Sequence, residues 1–347
     1  PPPPAVERSA AAPGLWYEKA APGDRRLGKV VTIAKSKKFR DNHGKVLLEG
    51  HRLIKDALEA GAVPQTLFFS TVGHLKLLPE AEIKRASLVK VKFEDIKTWS
   101  DLVTPQGLVG IFSKPDPAKM SYPAAQLTNS LPLLLICDNI RDPGNLGTIL
   151  RSAAGAGCEK VLLTKGCVDP WEPKVLRAGM GAHFRVPIIA NLDWESVPTN
   201  LPAGIQVCVA DNDDPDAPAG SASLPRGAGS APDSPKAPVK SSPKAAPEHE
   251  DEEGAAGSPE LAAQHYYEDW AQTPVAVVIG GETHGLSPAA LRLAASTGGR
   301  RLVIPVVPGV DSLNSAIAAG ILLFEGKRQL LWRHKQEEDR QKLPVPG

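Results

Sequence analysis

Ile304–Phe324 reads IPVVPGVDSLNSAIAAGILLF. It begins as a buried apolar strand, crosses a Pro/Gly loop, and is expected to enter a helix at Asp311–Ser312. Small residues crowd that helix at Ser315, Ala316, Ala318, Ala319 and Gly320. A helix so poor in bulk admits a second backbone or a flat ligand, and its first turn offers unpaired N–H donors. Strand, loop and helix in that order form a unit of an α/β protein. Upstream, strand patterns at 132–138, 160–164, 186–190, 205–210, 274–280 and 301–305 alternate with helical patterns near 145–157, 173–182, 287–296 and 312–332. Apolar strands without polar interruption, alternating with helices, predict a parallel sheet covered on both faces.

The 347 residues are long enough for two domains. Residues 1–39 are expected to form a basic, Pro/Ala-rich N-terminal arm, loosely ordered over 1–28, and 40–114 a small α/β domain. In the latter, KVLLEGHRLIKDALEAG from Lys45 has helical spacing, with Gly61 placed to stop it. TLFFS, SLVKVKF and GLVGIF follow as strands. A Pro-punctuated linker is expected over 115–130 and a larger domain over 131–347. Between Pro215 and Pro259 the only aliphatic residues beyond alanine are Leu224 and Val239, and the stretch ends in the acidic run Glu248–Glu253. Such a segment buries too little apolar surface to offset its ordering entropy, so a disordered insertion is expected over 212–265.

Net charge is +1, with 40 Lys+Arg against 39 Asp+Glu, yet Lys19–Lys55 holds eleven Lys/Arg and three acidic residues. That block suits phosphate contact. Cys137, Cys158, Cys167 and Cys208 show neither CxxC spacing nor a paired framework, which favours a reducing compartment and suggests no metal site. No apolar run reaches membrane-spanning length. The chain opens at Pro1 rather than Met, so the native N-terminus is expected to be missing and no transit peptide is visible.

Three segments carry a resemblance. Asn145-Leu-Gly-Thr-Ile-Leu-Arg151 is the first, Gly280-Gly281-Glu282 with Gly285-Leu286 the second, and Ile304-Pro305 with Ser312-Leu313-Asn314 the third. In order and composition they resemble the three motifs of the SpoU (TrmH-type) family of RNA 2′-O-ribose methyltransferases, of the SPOUT superfamily. Asp169, Pro173, Lys174, Arg177 and Gly181 match its secondary pattern. One departure is Ser315-Ala316-Ile317, where many members carry Val-Ser-Val.

The resemblance implies a parallel-sheet catalytic domain with a C-terminal trefoil knot, preceded by a small α/β RNA-binding domain. It implies S-adenosyl-L-methionine as cofactor, large-subunit rRNA or a pre-ribosome as partner, a guanosine target, a mitochondrial matrix location and a homodimer. It casts Gly280, Gly281, Ile304 and Leu313 as cofactor-binding residues. It casts Arg151 as the group activating the 2′-hydroxyl, with Asn145, Glu282, Ser312 and Asn314 shaping the pocket.

The residues have their own readings. Asn145 has the place of a helix N-cap, and Arg151 follows at about 240° around an ideal helix, so spacing alone does not put both on one face. Glu282 suits the first turn of the next helix. An arginine holds its proton above about pH 12 and is a poor base. Orienting a phosphate and stabilising a forming alkoxide suits it better. Two rival functions remain. A non-catalytic rRNA-binding assembly factor needs no such set of site residues, and for a dinucleotide-binding α/β enzyme the chain lacks a GxGxxG opening a first βαβ unit.

Overall fold

The computed structural model describes residues 8–99, 105–212, 260–272 and 274–342. The first domain is a six-stranded mixed sheet. Its strands are β1 (Arg8–Ala12), β2 (Leu15–Lys19), β3 (Lys45–Glu49), β4 (Pro64–Phe69), β5 (Ser87–Lys90) and β6 (Leu108–Ser113), in the order β1-β2-β5-β4-β6-β3. Helices α1 (Arg25–Lys35), α2 (Lys37–His43), α3 (His51–Glu59), α4 (Glu80–Ile83) and α5 (Phe93–Trp99) connect them.

Two expectations are corrected here. From Arg8 onward the supposed arm is an ordered hairpin and helix. Leu15 and Tyr17 alternate inward, and the Tyr17 ring meets Phe69 edge-on at 5.5 Å. Residues 1–7 lie outside the described part. The helix expected from Lys45 is instead a strand followed by a helix. Gly50, at φ 92°, turns the chain between β3 and α3, a backbone angle that suits glycine.

After α6 (Ala124–Thr128) comes a seven-stranded sheet. Its strands are β7 (Leu131–Asp138), β8 (Cys158–Thr164), β9 (Ile188–Leu192), β10 (Gln206–Asp211), β11 (Ala263–His265), β12 (Val275–Gly280) and β13 (Arg301–Val303). The order is β11-β13-β10-β12-β7-β8-β9, and every neighbouring pair is parallel. Helices α7 (Pro143–Ala156), α8 (Pro173–Gly179), α9 (Pro288–Ser296) and α10 (Ser315–Gln341) complete it. Leu133, Leu135 and Cys137 point to the α7/α10 face, while Leu134 and Ile136 join the opposite core with Ala290 and Ala294 of α9. The parallel sheet covered on both faces is therefore present.

β11 falls within the stretch 212–265 expected to be disordered, yet it pairs with β13. The expectation for 213–259 lies outside the described residues. Cys137, Cys158 and Cys208 are buried and Cys167 half-buried, all as free thiols. Among the described residues no helix is long and apolar enough to cross a membrane.

The two domains share a core. Trp171, Leu176 and Phe184 from the second pack with Leu15, Leu67 and Phe69 of the first. Beside them Arg40 of α2, 3 % exposed, holds Asp169. Its Nε donates to Asp169 Oδ2 at 2.9 Å, its Nη2 lies 2.7 Å from the same oxygen, and its Nη1 donates to the carbonyls of Ile33 and Ala34.

His183 lies under this junction, with Nε2 2.6 Å from the Pro170 carbonyl. Burial pushes the imidazole down to about 4, so it is neutral and Nε2–H donates. The unfolded chain takes up a proton near 6.5, the folded one only near 4. Stability linked to His183 is complete above pH 6.5 and is lost as pH falls toward 4, by roughly 3 kcal/mol at most. His183→Gln, which can still donate to Pro170, is expected to flatten the fall of Tm across that window. A slope equal to that of the unaltered chain would contradict this.

Candidate functional site

The second sheet ends at its C-terminal edge in a cavity of about 460 Å³. Open parallel sheets bind ligands at this edge. Gly280, Gly281, Ile304 and Leu313 all line it, as do Glu282 and Ser312. Asn145, Asn314 and Arg151 are not in its wall.

The loop from Gly280 to Leu286 doubles back tightly. Gly285 N–H donates to the Gly281 carbonyl at 2.8 Å, and Gly281 N–H donates to the Asp138 carbonyl at 3.0 Å. A Cβ on Gly281 would stand 2.4 Å from the Asn139 carbonyl oxygen, and one on Gly280 would stand 2.6 Å from that of Gly285. Only glycine lets the strand end and the loop approach so closely. Asp138, fully buried at the end of β7, clamps the other end of the loop, accepting from Ser287 N–H at 2.7 Å. Ser287 in turn caps α9.

Asn145, Glu282 and Asn314, one from each motif, meet beside the cavity. Asn314 Nδ2 donates to Asn145 Oδ1 and to Glu282 Oε1, each at 2.9 Å. Glu282 Oε1 also accepts from Ser315 N–H at 3.1 Å and lies 3.4 Å from Asn145 Nδ2. The carboxylate thus sits at the N-terminus of α10, where the helix dipole favours negative charge.

Two local expectations change. The N-cap of α7 is Asp142, whose carboxylate accepts from Asn145 N–H at 2.7 Å. Capping therefore does not occupy the Asn145 side chain, which turns to Glu282 and Asn314. The last helix begins at Ser315 rather than at Asp311–Ser312. Asn314 is its cap, its Oδ1 accepting from Ala316 and Ile317. Ser312 stays in the loop and lines the cavity.

Arg151 is exposed on α7, and its side chain makes no hydrogen bond or ion pair among the described residues. It takes no part in the three-residue network. The small residues of the first motif have a packing role. A Cβ on Gly147 would meet the Ala178 Cβ at 2.5 Å and the Val175 carbonyl at 2.6 Å, so α7 lies directly on α8.

The sequence reading missed four groups. Asp138 is legible only as an acid ending an apolar strand. Asp142 stands three residues before the expected cap. Asp211 and Arg301, 3.2 Å apart on the cavity wall, come from strands brought together by topology alone.

Comparison with known proteins bears on this arrangement. The sequence model of the SpoU rRNA Methylase family matches residues 132–324, and that of an MRM3-like substrate binding domain matches 29–110. The mitochondrial rRNA methyltransferase 3 of Homo sapiens is 61% identical over 338 residues, covering 95% of this chain and 80% of that protein. A 23S rRNA guanosine 2′-O-methyltransferase of Bacillus subtilis is 29% identical over 154 residues, 44% of this chain and 57% of that one. The AdoMet-bound rRNA methyltransferase structure from Sinorhizobium meliloti aligns at a TM-score of 0.64 with 25% identity, over 90% of this chain and 98% of that one.

Proposed function

The chain belongs to the SpoU rRNA methylase family, and from that premise we propose that it methylates the ribose 2′-hydroxyl of a guanosine in mitochondrial large-subunit rRNA. S-adenosyl-L-methionine is its cofactor, consistent with the cofactor-bound relative of the same fold. One observation carries the reading: Asn145, Glu282 and Asn314, separated by 137 and 169 positions in the chain, converge on one another at the mouth of a glycine-walled cavity. An assembly factor that only binds RNA has no need of that convergence. Guanosine and the 2′-position draw support from the name of the Bacillus relative, and mitochondria from that of the human one.

The cavity fits the cofactor by its backbone. With no Cβ at 280 or 281, main-chain groups can lie against adenine and ribose, while Ile304 and Leu313 offer apolar walls. When bound, the cofactor supplies a sulfonium methyl open to displacement by a hydroxyl oxygen. Glu282 and Asn314 hold the start of α10 against the cavity, and Asn145 ties α7 to them. Holding the reactants aligned supplies several kcal/mol of the barrier. Arg151 positions the target phosphate and stabilises the forming alkoxide, and the proton leaves through that phosphate or water.

The trefoil knot and the homodimer belong to the same reading. For the knot, the support is β13 inserted between β10 and β11, followed by the return of α10 onto α7. For the dimer, it is the exposure of Ile317, Phe324, Leu331 and Trp332 along α10, three of them at seven-residue spacing.

The test is methyl transfer from labelled S-adenosylmethionine to large-subunit rRNA, with ribose methylations mapped. A single modified guanosine ribose is the expected result. Binding of cofactor and RNA without transfer, to free rRNA or to pre-ribosomes, would favour the assembly factor.

A further inference from the structure

The functional reading leaves a second cavity unused. It measures about 340 Å³ and opens between the two domains. Lys37 of α2 and Lys114 after β6 stand on the side of the first domain. Thr164 at the end of β8 and Lys165 after it, with Asn191 of β9, stand on the side of the second. β12, β7, β8 and β9 are parallel neighbours, so this cavity lies on the same edge of the sheet as the first. At about 4.8 Å per strand, the ends of β12 and β8 are roughly 10 Å apart.

The charges there are unevenly committed. Asp169 is locked by Arg40 in the buried pair. Asp41 holds Lys114 at 2.9 Å and Asp193 holds Lys165 at 2.6 Å, both in exposed pairs. Exposed pairs contribute little and exchange readily for another anion. Lys37 has no ion pair among the described residues. The same is true of the exposed Lys29, Lys35 and Lys38 on α1 and α2. A ligand here touches both domains at once, beside the buried Arg40–Asp169 pair that joins them.

Resting on the methyltransferase reading, we propose that this interdomain cleft is a subsite for the RNA strand flanking the methylated nucleotide, with a backbone phosphate held by Lys37 and Lys165. The first domain thereby acts on the strand beside the reacting ribose as well as on more distant RNA.

Lys37→Gln and Lys165→Gln, singly and together, test this in the full chain. The measurements are binding of a short labelled single-stranded RNA across a salt series, KM for transcribed large-subunit rRNA, and affinity for S-adenosylmethionine. Each lysine that meets a phosphate contributes about 0.7 to the salt slope. The double variant is expected to lose about 1.4 from that slope and to weaken RNA binding about fivefold or more, with cofactor affinity unchanged. Lys84→Gln, outside the cleft and paired with Glu80, is expected to leave the slope as it was. Wild-type RNA binding with an unchanged slope in the double variant overturns the subsite alone. A wild-type chain that binds no RNA overturns the functional reading and the subsite together.

Discussion

Arg151→Ala is expected to bind S-adenosylmethionine like the unaltered chain and to transfer methyl groups about 10²–10³-fold more slowly. That is the cost of removing one charged group that stabilises a developing oxyanion. The side chain is exposed, and no described residue pairs with it. Its loss therefore removes little packing, and stability is expected to stay within about 0.5 kcal/mol. A catalytic defect on an unperturbed fold separates a reacting role from a structural one. Arg151→Lys keeps the charge but not the planar fork, so it is expected to recover only part of the rate. Normal turnover in Arg151→Lys would sink the bidentate version of the role. Normal turnover in Arg151→Ala would remove Arg151 from the mechanism.

Arg40→Ala is expected to cost about 3–5 kcal/mol in chemical unfolding, the usual penalty for stranding one partner of a buried ion pair. Asp169 has 5 % side-chain exposure, so its carboxylate would be left buried and unpaired. The carbonyls of Ile33 and Ala34 lose their Arg40 donor as well. The pair need not be the most stable filling of that space. Arg40→Met with Asp169→Leu is expected to regain much of the loss, because neither charge is then left buried alone. A double-mutant cycle reads the coupling directly. A single-variant cost below about 1 kcal/mol would mean that water reaches the junction and that the pair is a surface contact.

Elements with one strong pattern were legible in the sequence. β7, β8, β10 and β12 each contain a run of buried apolar residues, and their ends fall within two residues of the expected positions. The three motifs were readable because glycines, an acid and two asparagines at fixed order leave few alternatives. Their meeting was not, since a hydrogen bond between Asn145 and Asn314 depends on topology and not on spacing. Short elements failed for a physical reason. β1 and β2 bury only Leu15 and Tyr17 below a tenth exposure, too few to mark a period of two. β11 is three residues long and exists because β13 offers it an edge. The caps were displaced by two to three residues because Asp142 and Asn314 compete with similar neighbours, and the backbone geometry decides among them.

The insertion of β13 between β10 and β11 sets an order of assembly. Both flanking strands precede it in the chain, and its pairing of Val209 with Arg301 spans ninety-two positions. Contacts of such range form late, because the closure of a long loop must come first. Arg301, Leu302 and Ile304 are also walls of the larger cavity. A nascent chain released only as far as Gly299 has six of the seven strands and no closed pocket. With the cofactor placed in that cavity as proposed, its affinity is expected to arrive with the last strand and helix, and an unfinished polypeptide is expected not to sequester the methyl donor.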